Sequence, residues 1–305
     1  KIADFGVEIW LDENENDCTY HLSETCADAL HVKELLELSG KQDEYIDKIK
    51  DIRLDYGDIT GSDRLKNEIA KMYQTLSPEN ITAAHGGIGA NSLLLLTLIE
   101  PGDHIVSFVP TYQQLYSLPE SIGAKVDLIT VKEENGWQID ADELESLVTD
   151  KTKAICLNNP NNPTGTLIPQ ETMERIVKIA KQHDTYVICD EAYRGLSHFG
   201  EYLAPSIADL YEKGISTGSM SKAFSLAGIR FGWIAGPADL IARINKHRDY
   251  HVISIGKIDD LLACIALENR DAIFARNRGI CLENLAYVEK WIESEPRFSF
   301  VRPES

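Results

Sequence analysis

The sequence predicts an α/β fold: a mostly parallel sheet with helices on both faces, joined to a smaller α/β domain built from the two ends of the chain. Three observations predict it. From about Thr60 to Gly236, short apolar, β-branched runs alternate with longer stretches of helical periodicity. The polar residues suited to chemistry stand just after those apolar runs, where open parallel sheets bind their ligands. The chain ends depart from the alternation, with an acidic run (Asp12–Asp17) near the start and helical patterning from Gly236 through Trp291.

Taken in order, Val32, Leu35, Leu36 and Leu38 predict a short helix before Gly40. Ser62 is suited to cap a helix over Ser62–Leu76, in which Leu65, Ile69, Met72, Tyr73 and Leu76 share one face. Strands are expected at Ile81–Ala84, His104–Phe108, Lys125–Val131, Lys153–Leu157, Tyr186–Cys189, Ile215–Gly218 and Gly228–Ala235. Helices fit Asn91–Ile99, Ala141–Leu147 and Pro169–His183, and later Leu261, Leu262, Ile265, Leu267, Ile273 and Phe274 continue the helical pattern. These assignments divide the chain into an arm and part of a small domain (1–45), a large ligand-binding domain (46–240), and a linking helix with the start of the small domain (241–305). The chain opens on Lys1 rather than Met and stops where the last strands of a small domain would begin, so it is expected to be part of a longer protein.

A chain of 305 residues with 43% hydrophobic content can bury a large core. Its formal net charge of -19 and scattered basic residues speak against binding nucleic acid or an anionic membrane surface. Apolar runs such as Ser92–Ile99 are too short to span a bilayer, and no signal peptide is recognisable, so a cytoplasmic location is expected. The six cysteines show neither a C-x-x-C pair nor metal-ligand spacing, which predicts reduced thiols and no metal.

Five segments carry chemistry. The first, Ile215 to Arg230, delivers Lys222 from the end of a strand among small hydroxyl residues. Lysine becomes a nucleophile toward carbonyls when its surroundings lower its pKa. Ser219 and Ser221 can donate to a phosphate that Arg230 grips with its fork of donors. Alone, S-x-S-K is an ordinary loop; its companions change that reading. Tyr186–Tyr193 runs an apolar strand into Asp190, whose carboxylate needs a cationic partner to stay charged there, such as a protonated pyridine nitrogen. Tyr193 follows three residues on, suited to bonding a phenolic oxygen of that ring. Asn158 to Gly165 packs turn formers around Asn162, more than a plain connection requires. Gly86, Gly87 and Ile88 open a helix after a strand, where exposed N–H groups bind anions. Past the next strand, Pro110-Thr-Tyr112 offers an aromatic ring to stack on a planar ligand.

Together, Tyr56-Gly57, Gly86-Gly87, Pro110-Thr-Tyr112, N-N-P-T-G, D-E-A-Y, S-x-S-K and Arg230 make a set that resembles the class I/II aminotransferases, which are fold-type I pyridoxal-phosphate enzymes. The resemblance runs from about Tyr56 to Gly236. It implies a Schiff base between Lys222 and pyridoxal 5′-phosphate, with Asp190 on the ring nitrogen, Tyr193 and Asn162 on the ring hydroxyl, and Tyr112 stacked on the ring. Gly86, Gly87, Ile88, Ser219, Ser221 and Arg230 would hold the phosphate. Ile88 stands where many relatives have Ser, Thr or Lys, so only its backbone N–H can serve. Tyr56 would reach the phosphate of the neighbouring subunit in a homodimer. The implied reaction moves an amino group between an amino acid and a 2-keto acid, with Lys222, Asp190 and Tyr193 as the catalytic group. The same motifs also fit a lyase, decarboxylase or cyclase of this fold, or the ligand-sensing domain of a transcription regulator. The arginine for the substrate carboxylate is expected beyond Ser305, and the segment His21–Thr25 is expected to touch the substrate.

Overall fold

The computed structural model describes all residues from Lys1 to Ser305. Seven strands form one sheet: β1 (Ile81–His85), β2 (His104–Val109), β3 (Lys125–Thr130), β4 (Thr152–Asn158), β5 (Tyr186–Asp190), β6 (Gly214–Ser219) and β7 (Phe231–Ala235). Their spatial order is β1-β7-β6-β5-β4-β2-β3, and all neighbours are parallel except β7, which runs antiparallel to β1 and β6. All seven expected strands are present. The last starts at Phe231 rather than Gly228, because Ala227–Ile229 closes a single 3₁₀ turn and Arg230 takes the left-handed conformation at φ +46°.

Twelve α-helices accompany the sheet: α1 (Gly6–Asn14), α2 (Val32–Leu38), α3 (Gln42–Asp51), α4 (Asp63–Ala70), α5 (Gly86–Leu98), α6 (Gln114–Ile122), α7 (Ala141–Leu147), α8 (Gln170–Gln182), α9 (Ile207–Leu210), α10 (Ala238–His247), α11 (Lys257–Glu268) and α12 (Arg270–Ser294). Ser62 caps α4 as expected, its hydroxyl oxygen accepting from Leu65 N at 3.2 Å. That helix stops at Ala70 instead of Leu76, since the amides of Gln74 and Thr75 are drawn off to the Asp209 carboxylate, each at 2.9 Å. Sequence periodicity did not reveal α1, α3 or α6. Helix α1 has apolar residues at helical spacing (Val7, Trp10, Leu11) but buries none of them, and its end falls in the acidic run Asp12–Asp17. Helix α6 is disguised by Pro119 within it and ends at Gly123, whose φ of +105° suits glycine.

Alternate residues of the central strands feed two apolar layers, as a sheet covered on both faces requires. Along β5, Ile188 joins the larger layer beneath α4, α5, α10 and α11, whereas Val187 and Cys189 join the smaller one beneath α7 and α8. All six cysteines are free, and complete burial pushes the Cys156 thiol up to about 12. No helix is long and apolar enough to cross a membrane.

Parallel register has one consequence for chemistry: Asn158 of β4 pairs with Asp190 of β5, and Asp190 pairs with Thr217 of β6. Three polar side chains thus stand abreast at the carboxyl edge of an otherwise apolar sheet.

Candidate active site

At that edge Asp190 is 5% exposed, and its carboxylate accepts from Asn91 Nδ2 at 2.7 Å and from Ala192 N at 3.0 Å. The second bond closes a local turn, and no helix starts there, so Asp190 is not an N-cap. Burial raises its pKa, opposed by Asn91, Ala192 and the charge of Lys222. Asp190 has no cationic side chain within salt-bridge distance, so its charge is left for a cation that the chain does not supply.

The opposite need exists nearby. Helix α5 starts at Gly86, and a Cβ there would lie 2.9 Å from Arg230 Nη2. A Cβ on Gly87 would lie 3.1 Å from the Ser219 side chain. Glycine at both positions therefore leaves open a floor between the α5 N-terminus, Ser219 and Arg230. The guanidinium of Arg230 makes no ion pair despite the acidity of the chain; its Nη1 donates to Ala227 O at 2.9 Å and, at the limit of bonding, to Ser221 Oγ at 3.5 Å. Ser219 Oγ accepts from Ser221 N at 3.0 Å, which folds this loop under the arginine. Ile88 is exposed and its carbonyl accepts from Gln114 Nε2 at 2.8 Å, tying the first turn of α5 to α6.

Between these ends lie the remaining expected residues. Asn162 Nδ2 donates to Tyr193 OH at 3.3 Å, which brings the turn after β4 and the loop after β5 to one point. Tyr193 is half-buried; burial raises its pKa and the charge of Lys222 works against that rise. Tyr112 is half-buried under Phe5, ring centroids 5.3 Å apart. Burial, followed by the Asp190 and Glu8 charges, pushes the Tyr112 phenol far above its usual range, and Arg230 opposes them. Lys222 Nζ donates to Thr25 Oγ1 at 2.9 Å and to Cys26 Sγ at 3.2 Å. Burial alone would lower the pKa of Lys222, but Tyr193, Cys26 and Glu24 turn the net shift upward. Tyr56, at 75% exposure, stands apart from this cluster.

Sequence reasoning missed several participants. Asn91 and Thr217 hold each other, Thr217 Oγ1 donating to Asn91 Oδ1 at 2.6 Å, and so aim the Asn91 amide at Asp190. Gln114 completes the chain, accepting from Asn91 Nδ2 at 3.2 Å. The available signal was a lone asparagine ahead of the Leu93–Leu96 run, polar and 1% exposed. The segment His21–Thr25 does reach the site, but it meets Lys222 through Thr25, and Cys26 was overlooked.

These residues fit pyridoxal phosphate: an unpaired buried carboxylate suits a pyridinium nitrogen, and an unpaired arginine beside a glycine-opened helix N-terminus suits a phosphate, with an amine between them. Comparison with known proteins agrees. The family model described as aminotransferase class I and II matches residues 9–257. The chain is 30% identical over 245 residues to arginine–pyruvate transaminase AruH of Pseudomonas aeruginosa, covering 76% of this chain and 62% of that protein. It is 28% identical to capreomycidine synthase of Streptomyces vinaceus, covering 77% of this chain and 60% of that one. The chain thus spans about three fifths of the length of these curated relatives. Its structure superposes on a PLP-dependent aminotransferase from Streptococcus suis with a TM-score of 0.96 at 44% identity, over 100% of this chain and 81% of that one. The PLP-dependent cyclase OrfR shares the fold, with a TM-score of 0.90 at 23% identity. The site, the fold and the matched sequence together place this chain in the class I and II aminotransferase family of pyridoxal-phosphate enzymes.

Proposed function

We propose that the protein to which this chain belongs is an aminotransferase moving an amino group between an amino acid and a 2-keto acid. The observation that carries the proposal is that Asp190 and Arg230 carry opposite charges with no ion-pair partner, while the charge of Lys222 acts on Asp190. When bound, pyridoxal phosphate supplies an aldehyde that condenses with amines and a cationic ring that withdraws electrons from the substrate Cα. Arg230, the Gly87 and Ile88 amides and Ser219 would grip its phosphate. Asp190 would keep the ring nitrogen protonated, held ionised by Asn91 and the Ala192 amide. Tyr193 and Asn162 would bond the ring oxygen, and Tyr112 would cover one face. The Lys222 amine would take the proton from the substrate Cα and deliver it to the carbon that carried the cofactor's aldehyde. Incubation with an amino donor, followed by identification of the keto acid and the aminated cofactor, tests the proposal; release of neither refutes it.

The amino donor in this proposal carries a basic side chain, as in the arginine named for AruH. Supporting this, the carboxylates of Glu8 and Glu24 act on Tyr112 and Lys222. A cyclase reaction is the second reading, favoured by the similarity to capreomycidine synthase and OrfR. Quenched products separate the two, since cyclisation leaves the cofactor in its aldehyde form.

We infer also that residues 46–240 form the cofactor-binding unit, since every strand lies within them, with 1–45 and 241–305 supplying an arm and part of a smaller domain. The exposed Tyr56 supports a homodimer in which it reaches the neighbouring site.

A further inference from the structure

The segment Ser23–Leu30 has no regular secondary structure, yet it is folded on itself at one end and tied to the rest of the chain at the other. At one end Glu24 Oε1 accepts from the amides of Thr25 (2.8 Å) and Cys26 (3.0 Å), folding the carboxylate back over its own backbone. At the other, Leu30 N donates to Ser225 O at 3.2 Å, tying the segment to the loop that carries Lys222, and Arg276 Nη1 donates to Asp28 O at 2.8 Å. Those fastenings present two side chains to one atom: Lys222 Nζ donates to Thr25 Oγ1 at 2.9 Å and to Cys26 Sγ at 3.2 Å. An ammonium has three protons to donate, so this segment takes two of them.

We propose that Thr25 and Cys26 form a clamp that holds the amine of Lys222 whenever it is not bonded to the cofactor. They are positioning residues, and the inference rests on the reading of Lys222 as the cofactor lysine. A free lysine side chain has roughly 2 kcal/mol of rotamer entropy to lose, and an amine that must find a single Cα proton works better already held. The clamp also keeps the amine near two carboxylates, Asp190 at the end of β5 and Glu24 on the segment itself. Thr25 can only accept or donate a hydrogen bond, whereas the Cys26 thiol, its pKa raised by burial, stays neutral and offers a soft acceptor at neutral pH.

Competitive acylation of the full chain without cofactor, followed by peptide mass analysis, reads the titration of Lys222 against exposed lysines such as Lys33 in the same digest. Labelling of Lys33 serves only as the control for reagent and fold. Thr25→Val and Cys26→Ala should each lower the Lys222 midpoint, and the double variant by about one pH unit, or about tenfold more labelling at a fixed pH below the midpoint. Thr25→Ser should keep the wild-type value, which a general loosening of the loop would not. A double variant with a wild-type midpoint, unchanged circular dichroism and unchanged Lys33 labelling overturns the clamp. Borohydride reduction of the same proteins loaded with pyridoxal phosphate separates the two inferences. Trapping of the cofactor on Lys222 in wild type and variants supports the underlying reading. Its failure in wild type removes that reading, a result distinct from an unmoved labelling midpoint.

Discussion

Asn91, near the start of α5, donates a 2.7 Å hydrogen bond to Asp190 at the end of β5, so the helix that begins beside Arg230 also steadies the buried carboxylate. A hydrogen bond to a charged group contributes about 1.5–3 kcal/mol. Asn91→Ala should therefore lower turnover at least about tenfold while leaving the fold intact, measured as kcat beside far-ultraviolet circular dichroism. Wild-type turnover in that variant would deny Asn91 a part in holding the carboxylate.

Lys222→Ala removes the only amine in the site. Turnover should vanish, and the absorbance band of the imine between protein and cofactor should be absent after incubation with pyridoxal phosphate. A variant that retained both would place the chemistry on another residue.

Arg230 and Gly86 should govern cofactor affinity rather than the chemical step. Arg230→Ala loses a charged grip, and affinity for pyridoxal phosphate should drop about 10- to 100-fold by spectral titration. At Gly86 the backbone has φ +68° and a Cβ would press on Arg230 Nη2 at 2.9 Å. Gly86→Ala should thus weaken cofactor binding and cost about 1–3 kcal/mol of stability in a thermal melt.

Asp190 makes stability depend on pH in a defined sense. Burial raises its folded-state pKa above the unfolded value, so the folded chain holds the extra proton between the two. The contribution of this group is then most favourable at low pH and is lost as pH rises from the ordinary carboxylate range through the raised value. Without cofactor, the wild-type melting temperature should gain on that of Asp190→Asn as pH falls from neutrality into the carboxylate range. Pyridoxal phosphate should flatten the trend, because a cationic ring nitrogen favours the ionised carboxylate. An unchanged difference across that range would show that the carboxylate is not strained by burial.

The core tests the packing alone. Leu94 on α5 is fully buried in the larger apolar layer, and Leu94→Ala should destabilise by about 2–5 kcal/mol in chemical denaturation. A loss under 1 kcal/mol would mean that this layer is loosely packed.

What the sequence determined by itself was whatever depends on short-range pattern. Seven strands and the helices expected at Ala141–Leu147 and Pro169–His183 are legible because alternating apolar runs set the sheet, and the placement of Asp190 at the carboxyl end of a strand follows from the same pattern. Helix α1 went unread because its apolar spacing (Val7, Trp10, Leu11) runs into the acidic stretch from Asp12, and α6 was hidden by Pro119. Only the tertiary structure decided that Asn91 faces Asp190 across 99 residues and that Thr25 and Cys26 meet Lys222 across nearly 200. Such contacts depend on how parallel strands fall into register and on where an irregular segment is tied down. Neither leaves a periodicity in the chain, because side chains that meet across the fold are placed by packing and not by their neighbours in sequence.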